Sequence, residues 1–303
     1  MKKVQVATHS GIFHADEVFA LAVLKMVFEK SNKEIEIIRT RDLDKIASAD
    51  IVVDVGGEHK ASKKRFDHHQ KGRAGERKNG IPYAAFGLVW KAFGKKITSN
   101  KDVWEAIDKK LVTPIDAIDN GISLSTPITK GVGEYNCSQI ISAISRSFEE
   151  NETDLAFSKA IEFASLVLKG EIKNVEAKIE GERLTTHEIL KQNEPEVLVL
   201  EKYLKWHDAV EKFTNIKFVI FPDSFSTKWC IQAAHDDKEG FDGDRISFPA
   251  EWRGLMDSDL DLATGLTGSV FCHAGGFFAH MHSREGAIEM ANKAIFLSLS
   301  DKQ

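Results

Sequence analysis

Cysteine is scarce in this sequence of 303 residues: there are three, Cys137, Cys230 and Cys272, widely spaced and without a CxxC pair. An odd number of isolated cysteines argues against a disulfide framework, and against a structural zinc knuckle, which needs closely spaced thiolates. We therefore expect the three thiols to serve as small buried apolar side chains.

Long apolar runs and an excess of positive charge are also missing. No apolar stretch approaches the roughly 18 residues that a bilayer-spanning helix requires, so no membrane role is expected. The formal net charge of −5 gives no global basic surface for nucleic acid, although the basic run Lys60–Arg77 could hold a short anionic substrate. The chain passes straight into a predicted strand, without the pattern of a signal or transit peptide, and we expect a cytoplasmic protein.

Strand-like and helix-like patterns alternate along the first part of the chain. Residues 3–8 alternate polar and apolar side chains as a strand does, and residues 15–30 carry apolar side chains at the spacing of a helix. The same patterns predict strands at 34–40 and 51–55, and helices at 42–49, 84–93 and 102–118. Such alternation is typical of an α/β domain with a parallel sheet and helices on both faces.

The length of the chain exceeds that of a usual single core, so we expect two domains. A proline-free helical pattern covers residues 153–192, with Gly170 and Gly181 as its weak points, and the character of the sequence changes at 193–195. Beyond this point the sequence predicts a smaller α+β unit, with strands at 196–200, 216–221, 228–234 and 269–273 and a final helix at 285–299. The predicted domains are therefore residues 1–193 and 194–303.

Four short polar segments contain enough imidazoles and carboxylates to hold two metal ions, at residues 9–16, 54–57, 67–69 and 116–121. Ligands of a parallel sheet lie beyond the carboxyl ends of its strands, where several of these segments begin. Carboxylates suit hard divalent ions and imidazole is also acceptable to Mn²⁺, so manganese is the first choice and Mg²⁺ or another divalent ion the alternative. Two ions about 3.5–4 Å apart would clamp an attacking hydroxide and a leaving oxygen, which makes a two-metal hydrolase the leading interpretation.

Each segment alone also has a structural interpretation. Asp54 precedes two glycines, as turn residues do, Asp119 precedes a helix-stopping Asn-Gly pair, and Asp16 stands near the start of a helix, where N-caps occur. The triplet at 67–69 has little packing rationale. Gathered on one α/β domain, the four segments favour a metal site, and Asp54 is the best candidate for a carboxylate that bridges two ions.

The triplet Asp67, His68 and His69, with a histidine and aspartate segment upstream and a carboxylate downstream, resembles the DHH phosphoesterase superfamily. That superfamily includes RecJ-type exonucleases, nanoRNases and family II inorganic pyrophosphatases. Within it, the chain is most similar to the melanocyte proliferating gene 1 family. The strings that carry this resemblance spread over nearly the whole chain: THSGIFHADE (8–17), FDHHQ (66–70), IDAIDNG (115–121), WCIQA (229–233), EWRGL (251–255) and FCHAGG (271–276).

The resemblance implies two sets of metal ligands: His9, His14 and Asp54 for one ion, and Asp16, Asp54, His68 and Asp119 for the other. His14 departs from most of the superfamily, where a carboxylate stands near this place, so that His14 either replaces an aspartate ligand or leaves it vacant. Imidazole in place of carboxylate would lower the negative charge of the site and shift its preference towards softer ions.

The resemblance also implies catalytic roles around the bridging carboxylate of Asp54. His69 would face the phosphate as a donor or general acid rather than bind a metal. Asp67 would orient the adjacent imidazole and fix its tautomer.

A carboxy-terminal domain closes over the substrate in the superfamily. By resemblance, the substrate-binding residues of this chain are Arg253, His273, Gly275 and Gly276. The planar guanidinium of Arg253 suits a phosphate, and the two glycines permit close approach of backbone N–H groups to an anion.

The expected activity is hydrolysis of phosphodiester bonds by a metal-bound hydroxide, and the resemblance implies 3′-to-5′ exonuclease action on RNA or short oligonucleotides. Two alternatives are hydrolysis of a small phosphoanhydride or nucleotide, such as pyrophosphate or a cyclic dinucleotide, and a non-catalytic metal-binding regulatory protein of the same fold. Stacking aromatic residues such as Trp252 or Phe278 at the cleft would favour nucleobases. The sequence predicts no particular oligomeric state.

Overall fold

The computed structural model describes residues 3–146, 153–236 and 243–300. Its packing divides into two units, one up to Glu176 and one from Ala177. The division falls inside one long helix, α7 (Thr153–Lys191), so the domain limit expected after residue 193 stays a prediction. Each unit contains its own five-stranded sheet.

A mostly parallel sheet forms the centre of the first unit. Its strands are β1 (Val4–Thr8), β2 (Ile35–Arg39), β3 (Ile51–Val53), β4 (His59–Lys60) and β5 (Arg65–Phe66). They lie in the order β2-β1-β3-β5-β4, and all neighbours are parallel except β4, which is antiparallel to β5. The predicted parallel α/β fold is confirmed. The sequence does not predict β4 and β5, because strands of two residues carry no detectable alternation.

The predicted helices of the first unit are present within one or two residues of their expected ends. They are α1 (Ala15–Lys30), α2 (Leu43–Ser48), α3 (Ala85–Phe93), α4 (Lys101–Ile107) and α5 (Thr113–Asp119). The segment predicted as one helix at 102–118 is interrupted by a π-helical turn at Asp108–Val112. Pro114, which has no N–H to donate, lies in the first turn of α5 directly after this interruption. A further helix, α6 (Cys137–Arg146), has no counterpart among the predicted elements.

Apolar side chains cover both faces of the first sheet. On one face, Ala7 of β1 and Val52 of β3 pack with Ile46 and Ala49 from α2 and its C-cap. Side chains alternate along a strand, so Val6 points to the opposite face, where it is fully buried. The strand ends are therefore the places where this sheet can present polar groups.

The second unit is a smaller α+β assembly, as predicted. After α7 it contains β6 (Val197–Val199), α8 (His207–Val210), β7 (Phe218–Pro222), β8 (Trp229–Ala233), α9 (Asp257–Thr264), β9 (Ser269–Cys272), β10 (Phe278–Met281) and α10 (Arg284–Ser300). The strand order is β6-β7-β8-β10-β9, with β6 and β7 parallel and the other neighbours antiparallel. The short helices α8 and α9 and the strand β10 are additions to the predicted elements.

The cysteines behave largely as expected. All three are free thiols, Cys230 and Cys272 are buried, and Cys137 is half-buried. Burial raises the pKa of the Cys230 and Cys272 thiols to about 11, which makes both unreactive at neutral pH. Across the three described stretches of the chain, no helix is both long and apolar enough to cross a membrane.

Candidate metal centre

Three neighbouring strands of the first sheet end in polar side chains at one edge. His9 follows β1, Asp54 follows β3, and the triplet 67–69 follows β5, and these strands lie side by side. The carboxyl ends of parallel strands meet at the same edge, which explains why residues far apart in sequence come together here. All six predicted metal ligands belong to overlapping clusters in which the candidate ligand atoms lie within 4.8 Å of one another: His9, His14, Asp16, Asp54, His68 and Asp119.

Asp54 stands between two histidines and turns one carboxylate oxygen towards each. Its Oδ2 lies 3.4 Å from His9 Nε2, and its Oδ1 lies 3.2 Å from His68 Nε2. The backbone of Asp54 has a φ of 54°, which is uncommon for a residue with a Cβ atom, and its N–H donates to the carbonyl of Phe66 at 3.0 Å. A carboxylate whose two oxygens face two separate sets of ligands has the geometry expected of a residue that bridges two metal ions.

Two further carboxylates surround the imidazole of His68. Its Nε2 lies 3.3 Å from Asp119 Oδ2 and 3.7 Å from Asp16 Oδ2. Asp119 is the last residue of α5, and Asp16 is fully buried in the first turn of α1. The N–H of Ala85, at the start of α3, donates to Asp16 Oδ2 at 3.2 Å and fixes this carboxylate.

Glu17 belongs to the same cluster, although the sequence does not single it out as a ligand. Its Oε1 lies 2.9 Å from His9 Nε2 and accepts a hydrogen bond of 2.9 Å from the backbone N–H of His14. The side chain is fully buried. A glutamate three residues after a helix N-cap is the pattern of a capping residue, so the local sequence signal for Glu17 was structural, and its contact with His9 depends on the fold.

His14 occupies the N-cap of α1 and is exposed. Its ring centroid lies 6.0 Å from that of His9. His14 shares one ligand cluster with His9 and Glu17, and another with Asp16 and Asp119. The imidazole of His14 thus lies beside both sets of ligands, and its role as a metal ligand stays a prediction.

Asp67 holds His69 in a fixed orientation. Its Oδ1 lies 2.8 Å from His69 Nδ1 and accepts a 3.1 Å hydrogen bond from the backbone N–H of His69. Its Oδ2 accepts a 2.6 Å hydrogen bond from the N–H of Gly57. Asp67 is buried, whereas the side chain of His69 is 63% exposed. The structure therefore directs the Nε2 atom of His69 away from Asp67.

The electrostatics of the centre are those of concentrated negative charge. Burial lowers the pKa of His9, but the nearby carboxylates of Asp54 and Glu17 outweigh burial and raise it to about 10. Burial favours a higher pKa for Asp54, but His68 and His9 outweigh it and lower the value to about 2. Burial, reinforced by Asp54, raises the pKa of Asp16 well above its usual range. Without metal, the centre therefore takes up protons to compensate its carboxylates.

Four buried polar atoms of the centre have no hydrogen-bond partner within the described residues: Asp16 Oδ1, Glu17 Oε2, Asp54 Oδ1 and His68 Nε2. Asp54 Oδ1 and His68 Nε2 lie 3.2 Å apart, yet their relative orientation forms no hydrogen bond. A buried polar atom without a partner destabilises a fold by about 1–3 kcal/mol. Oxygen and imidazole atoms that converge without bonding to one another are the arrangement that divalent cations bind. The residues present therefore fit a metal centre.

Asp116, from the polar segment 116–121, and Arg77, at the end of the basic run, have a structural role instead. Arg77 Nη1 donates to Asp116 Oδ2 at 2.7 Å, and the N–H of Gly87 donates to Asp116 Oδ1 at 2.9 Å. Arg77 also forms an ion pair of 3.1 Å with Asp108 and is largely buried. The expectation that the basic run Lys60–Arg77 as a whole could hold an anion is therefore wrong for Arg77, because the carboxylates of Asp116 and Asp108 already pair with it.

The four predicted substrate-binding residues lie together in the second unit, around the turn between β9 and β10. The N–H of Gly275 donates to His273 Nδ1 at 2.9 Å, and the N–H of Gly276 donates to the carbonyl of His273 at 2.8 Å. Arg253 Nε donates to the carbonyl of Phe248 at 2.9 Å. Arg253 also packs on Gly276, where a Cβ atom would lie 2.6 Å from Nε. In this structure the glycine N–H groups stabilise the turn, and substrate binding by these residues stays a prediction.

The aromatic residues proposed for base stacking differ in accessibility. Trp252 is 2% exposed and packs in the apolar core of the second unit, with its ring 6.3 Å from that of Phe248. Its ring faces are therefore not available to a nucleobase. Phe278 is half-buried, with its ring 4.9 Å from the imidazole of His280.

Two solved structures of RecJ were found as neighbours of this fold. One, from Thermus thermophilus in complex with Mn²⁺, has a TM-score of 0.27 and 12% identity, and the match covers 96% of this chain and 52% of that one. The other, an exonuclease RecJ bound to manganese, has a TM-score of 0.28 and 12% identity and is matched over 97% of this chain and 90% of that one. This chain thus spans about half the length of the first RecJ chain.

Sequence comparison gives matches over nearly the whole chain. The MYG1 protein of Caenorhabditis elegans is 34% identical over 328 residues, covering 96% of this chain and 94% of that protein. The MYG1 exonuclease of Mus musculus is 31% identical over 332 residues, covering 97% and 86%. The MYG1 protein of Chlamydia muridarum is 33% identical over 297 residues, covering 95% of each. The model of the MYG1 exonuclease family, described as uncharacterised protein family UPF0160, matches residues 5–295. The resemblance seen in the sequence motifs is confirmed, and the chain belongs to the MYG1 family.

Proposed function

We propose that this protein is a divalent-metal-dependent phosphoesterase that hydrolyses phosphodiester bonds as a 3′-to-5′ exonuclease on RNA or short oligonucleotides. The observation that carries this proposal is the convergence of imidazoles and carboxylates at one sheet edge, with four buried ligand-type atoms left without partners in the described chain. The name of the mouse relative, an exonuclease, supports nucleic acid as the substrate class.

The cluster geometry supports two ions that share Asp54. His9, His14 and Glu17 would hold one ion together with Asp54 Oδ2, and Asp16, His68 and Asp119 would hold the other together with Asp54 Oδ1. The mixture of carboxylates and imidazoles favours Mn²⁺, with Mg²⁺ as the alternative. When bound, divalent ions supply charge stabilisation at phosphorus and activation of the attacking water.

His69 would exchange a proton with the substrate. Its Nδ1 is held by Asp67, so the proton that His69 gives or takes is carried at Nε2. The exposed ring lies beside the ligand histidine, with the His68 and His69 centroids 4.3 Å apart. In this position His69 donates a hydrogen bond to a phosphate oxygen or protonates the leaving oxygen.

The test is hydrolysis of a short oligoribonucleotide labelled at its 5′ end, by protein stripped of metal and then supplied with Mn²⁺, Mg²⁺ or neither. We expect stepwise shortening from the 3′ end that depends on the added ion. Asp54→Asn removes the charge of the bridging carboxylate and should abolish both hydrolysis and Mn²⁺ binding. Asp50→Asn is the matched control, because Asp50 accepts from the N–H of Gln5 at the opposite ends of β1 and β3.

The outcomes separate the alternatives. Hydrolysis of pyrophosphate without hydrolysis of oligonucleotides would replace the nuclease with a phosphoanhydride hydrolase. Mn²⁺ binding that Asp54→Asn abolishes, without hydrolysis of RNA, DNA, pyrophosphate or a model phosphodiester, would indicate a non-catalytic metal-binding protein. Shortening from the 5′ end would overturn the proposed polarity alone.

A further inference from the structure

The arginine at the end of β2 has a largely buried side chain. Arg39 lies opposite Thr8 of β1, the residue that directly precedes His9, and its side chain is only 8% exposed. A buried charge without partners destabilises a fold, so an arginine in this position needs them. The partners of Arg39 come from two segments, the loop between β1 and α1 (residues 9–14) and the start of α7.

Arg39 contacts the β1–α1 loop at two residues. Its Nη2 donates to the backbone carbonyl of Gly11, and its Cζ lies 5.6 Å from the centroid of the Phe13 ring. Gly11 has a φ of 98°, which favours glycine, and Phe13 is fully buried. Both residues lie between His9 and His14 in sequence. Arg39 therefore binds the segment that carries two of the predicted metal ligands.

The same guanidinium contacts the first turns of α7. Its Nη1 lies 2.9 Å from Asp154 Oδ1, and its Cζ lies 4.5 Å from the centroid of the Phe157 ring. The Phe157 ring is buried and meets the Phe13 ring edge-on, with 5.0 Å between the centroids. Both rings are within the range of a cation–π contact. Arg39 thus joins the β1–α1 loop to α7 through one planar group.

Only one of the two sets of ligands includes this loop. His9 and His14 are its first and last residues, and Glu17 accepts a hydrogen bond from the His14 N–H. In the other set, the N–H of Ala85 on α3 holds the carboxylate of Asp16. A change in the conformation of the loop should therefore disturb the set around His9 and His14 more than the set around Asp16.

We propose that Arg39 is a positioning residue of the metal centre, which fixes the β1–α1 loop through Gly11 and Phe13 so that His9 and His14 face the ion beside Asp54 Oδ2. This inference rests on the proposed function, because it takes both sets of ligands as metal sites. Groups that orient metal ligands without touching the ion typically contribute about 10- to 100-fold to affinity. A loop that must first be ordered by the ion binds it more weakly.

The test is titration calorimetry of metal-stripped protein with Mn²⁺. Arg39→Met removes the charge and the donors, and we expect the Kd of one ion to rise about tenfold or more while the Kd of the other changes less than about twofold. Arg39→Lys keeps the charge, but a single ammonium lacks the planar fork that contacts Gly11 and Asp154 together. Its Kd should lie between those of wild type and Arg39→Met.

Two further measurements separate positioning from a loss of folding. In metal-free Arg39→Met, the backbone amides of residues 10–14 should exchange hydrogen about tenfold faster than in wild type. At saturating Mn²⁺, kcat on the labelled oligoribonucleotide should return to within about twofold of wild type, because the ion then orders the loop. Arg39 itself lines neither cleft beside Asp54 and His69. A protein damaged in its fold would not be rescued by added metal.

Two control variants have defined expectations. Asp154→Asn removes only an ion pair with a carboxylate that is 87% exposed, so both Kd values should stay unchanged. Arg245→Met removes a second buried guanidinium, which pairs with the exposed Asp236 at 2.6 Å and donates to the backbone carbonyl of Phe213. All candidate ligand clusters of the described residues lie in the first unit, and Arg245 lies in the second. Arg245→Met should therefore destabilise the fold without changing either Kd.

The failure of this inference differs from the failure of the proposed function. If Arg39→Met keeps both Kd values and the exchange rates of wild type, the positioning role is wrong and the phosphoesterase stands. An equal rise of both Kd values would also overturn it, because Arg39 would then support the fold of the unit rather than the loop. If wild type binds Mn²⁺ but hydrolyses no substrate, the proposed function falls, and the Kd values still decide the role of Arg39. If wild type binds no Mn²⁺, both are wrong.

Discussion

Asp67 and His69 are joined by two contacts to a single oxygen: Asp67 Oδ1 lies 2.8 Å from His69 Nδ1 and accepts from the His69 N–H at 3.1 Å. The other oxygen of Asp67 accepts from Gly57, so every strong contact of this buried carboxylate serves to fix a neighbouring backbone or ring. We therefore propose that Asp67 acts on the centre through His69, as a positioning residue.

Asp67→Asn tests this relationship. The two oxygens of Asp67 face different donors, His69 Nδ1–H and the Gly57 N–H, whereas an amide has one acceptor oxygen and one NH₂ group. In the variant, the NH₂ group therefore faces one of these two N–H donors and cannot accept a hydrogen bond from it. We expect kcat to fall about 10- to 100-fold with the Mn²⁺ content retained, as loss of an orienting partner does at metal sites. The pH profile of kcat should change as well. An unchanged kcat and profile would show that the orientation of His69 does not matter to the reaction.

Metal affinity should increase with pH. His9, whose pKa rises to about 10, carries a proton at neutral pH and must lose it to bind a cation. The carboxyl of Asp16, whose pKa burial raises well above the usual range, must do the same. Each displaced proton makes the apparent Kd for Mn²⁺ fall by up to about tenfold per pH unit between pH 6 and pH 8. Titration calorimetry in two buffers of different ionisation enthalpy counts the protons, and a Kd independent of pH would contradict the expectation.

The pair of Arg77 and Asp116 makes a prediction about stability. Arg77→Met leaves the fully buried Asp116 without its cation and should lower the free energy of unfolding by about 3–5 kcal/mol. Burial already raises the pKa of Asp116 to about 7 despite Arg77, so in the variant this carboxyl is protonated more readily than in wild type. In the unfolded chain the carboxyl is ionised above its ordinary pKa, whereas in the folded variant it stays protonated to a higher pH than in wild type. The decrease in the free energy of unfolding should therefore be larger at pH 8 than at pH 6. Urea unfolding measures both values.

Arg73→Met is the matched control for Arg77→Met. The two arginines are four residues apart, but Arg73 is exposed and has no ion pair within the described chain. Its substitution should change the free energy of unfolding by less than about 0.5 kcal/mol. An equal decrease in the free energy of unfolding in both variants would contradict the prediction, because it would mean that the pairing of Arg77 with the buried Asp116 does not stabilise the fold.

Local pattern and the strand-end rule were sufficient to predict much of this centre. The helix at 15–30 matches α1, and His9 and Asp54 meet because the predicted strands β1 and β3 are parallel neighbours. His68 joins them at the end of β5, a strand of two residues that the sequence does not predict. Glu17 could not be assigned in this way, because its contact with His9 depends on the angle at which α1 leaves β1. The burial of Arg77 could not be predicted either, since its partners Asp108 and Asp116 lie 31 and 39 residues further along the chain. Sequence periodicity indicates which face of an element is apolar, but it does not indicate which charged side chains will form ion pairs.

The two glycines of α7 show the same distinction between local propensity and tertiary contact. Gly170 is exposed, and a Cβ atom there would have nothing within 4 Å, so Gly170→Ala should raise the free energy of unfolding by roughly 0.5–1 kcal/mol through helix propensity alone. Gly181 has the same propensity, but a Cβ atom there would lie 2.9 Å from the backbone N and O of Lys205. Gly181→Ala should therefore lower the free energy of unfolding by about 1–3 kcal/mol, because the backbone of Lys205 has to move. Urea unfolding of the two variants checks both signs, and a stabilising Gly181→Ala would mean that α7 does not pack against Lys205.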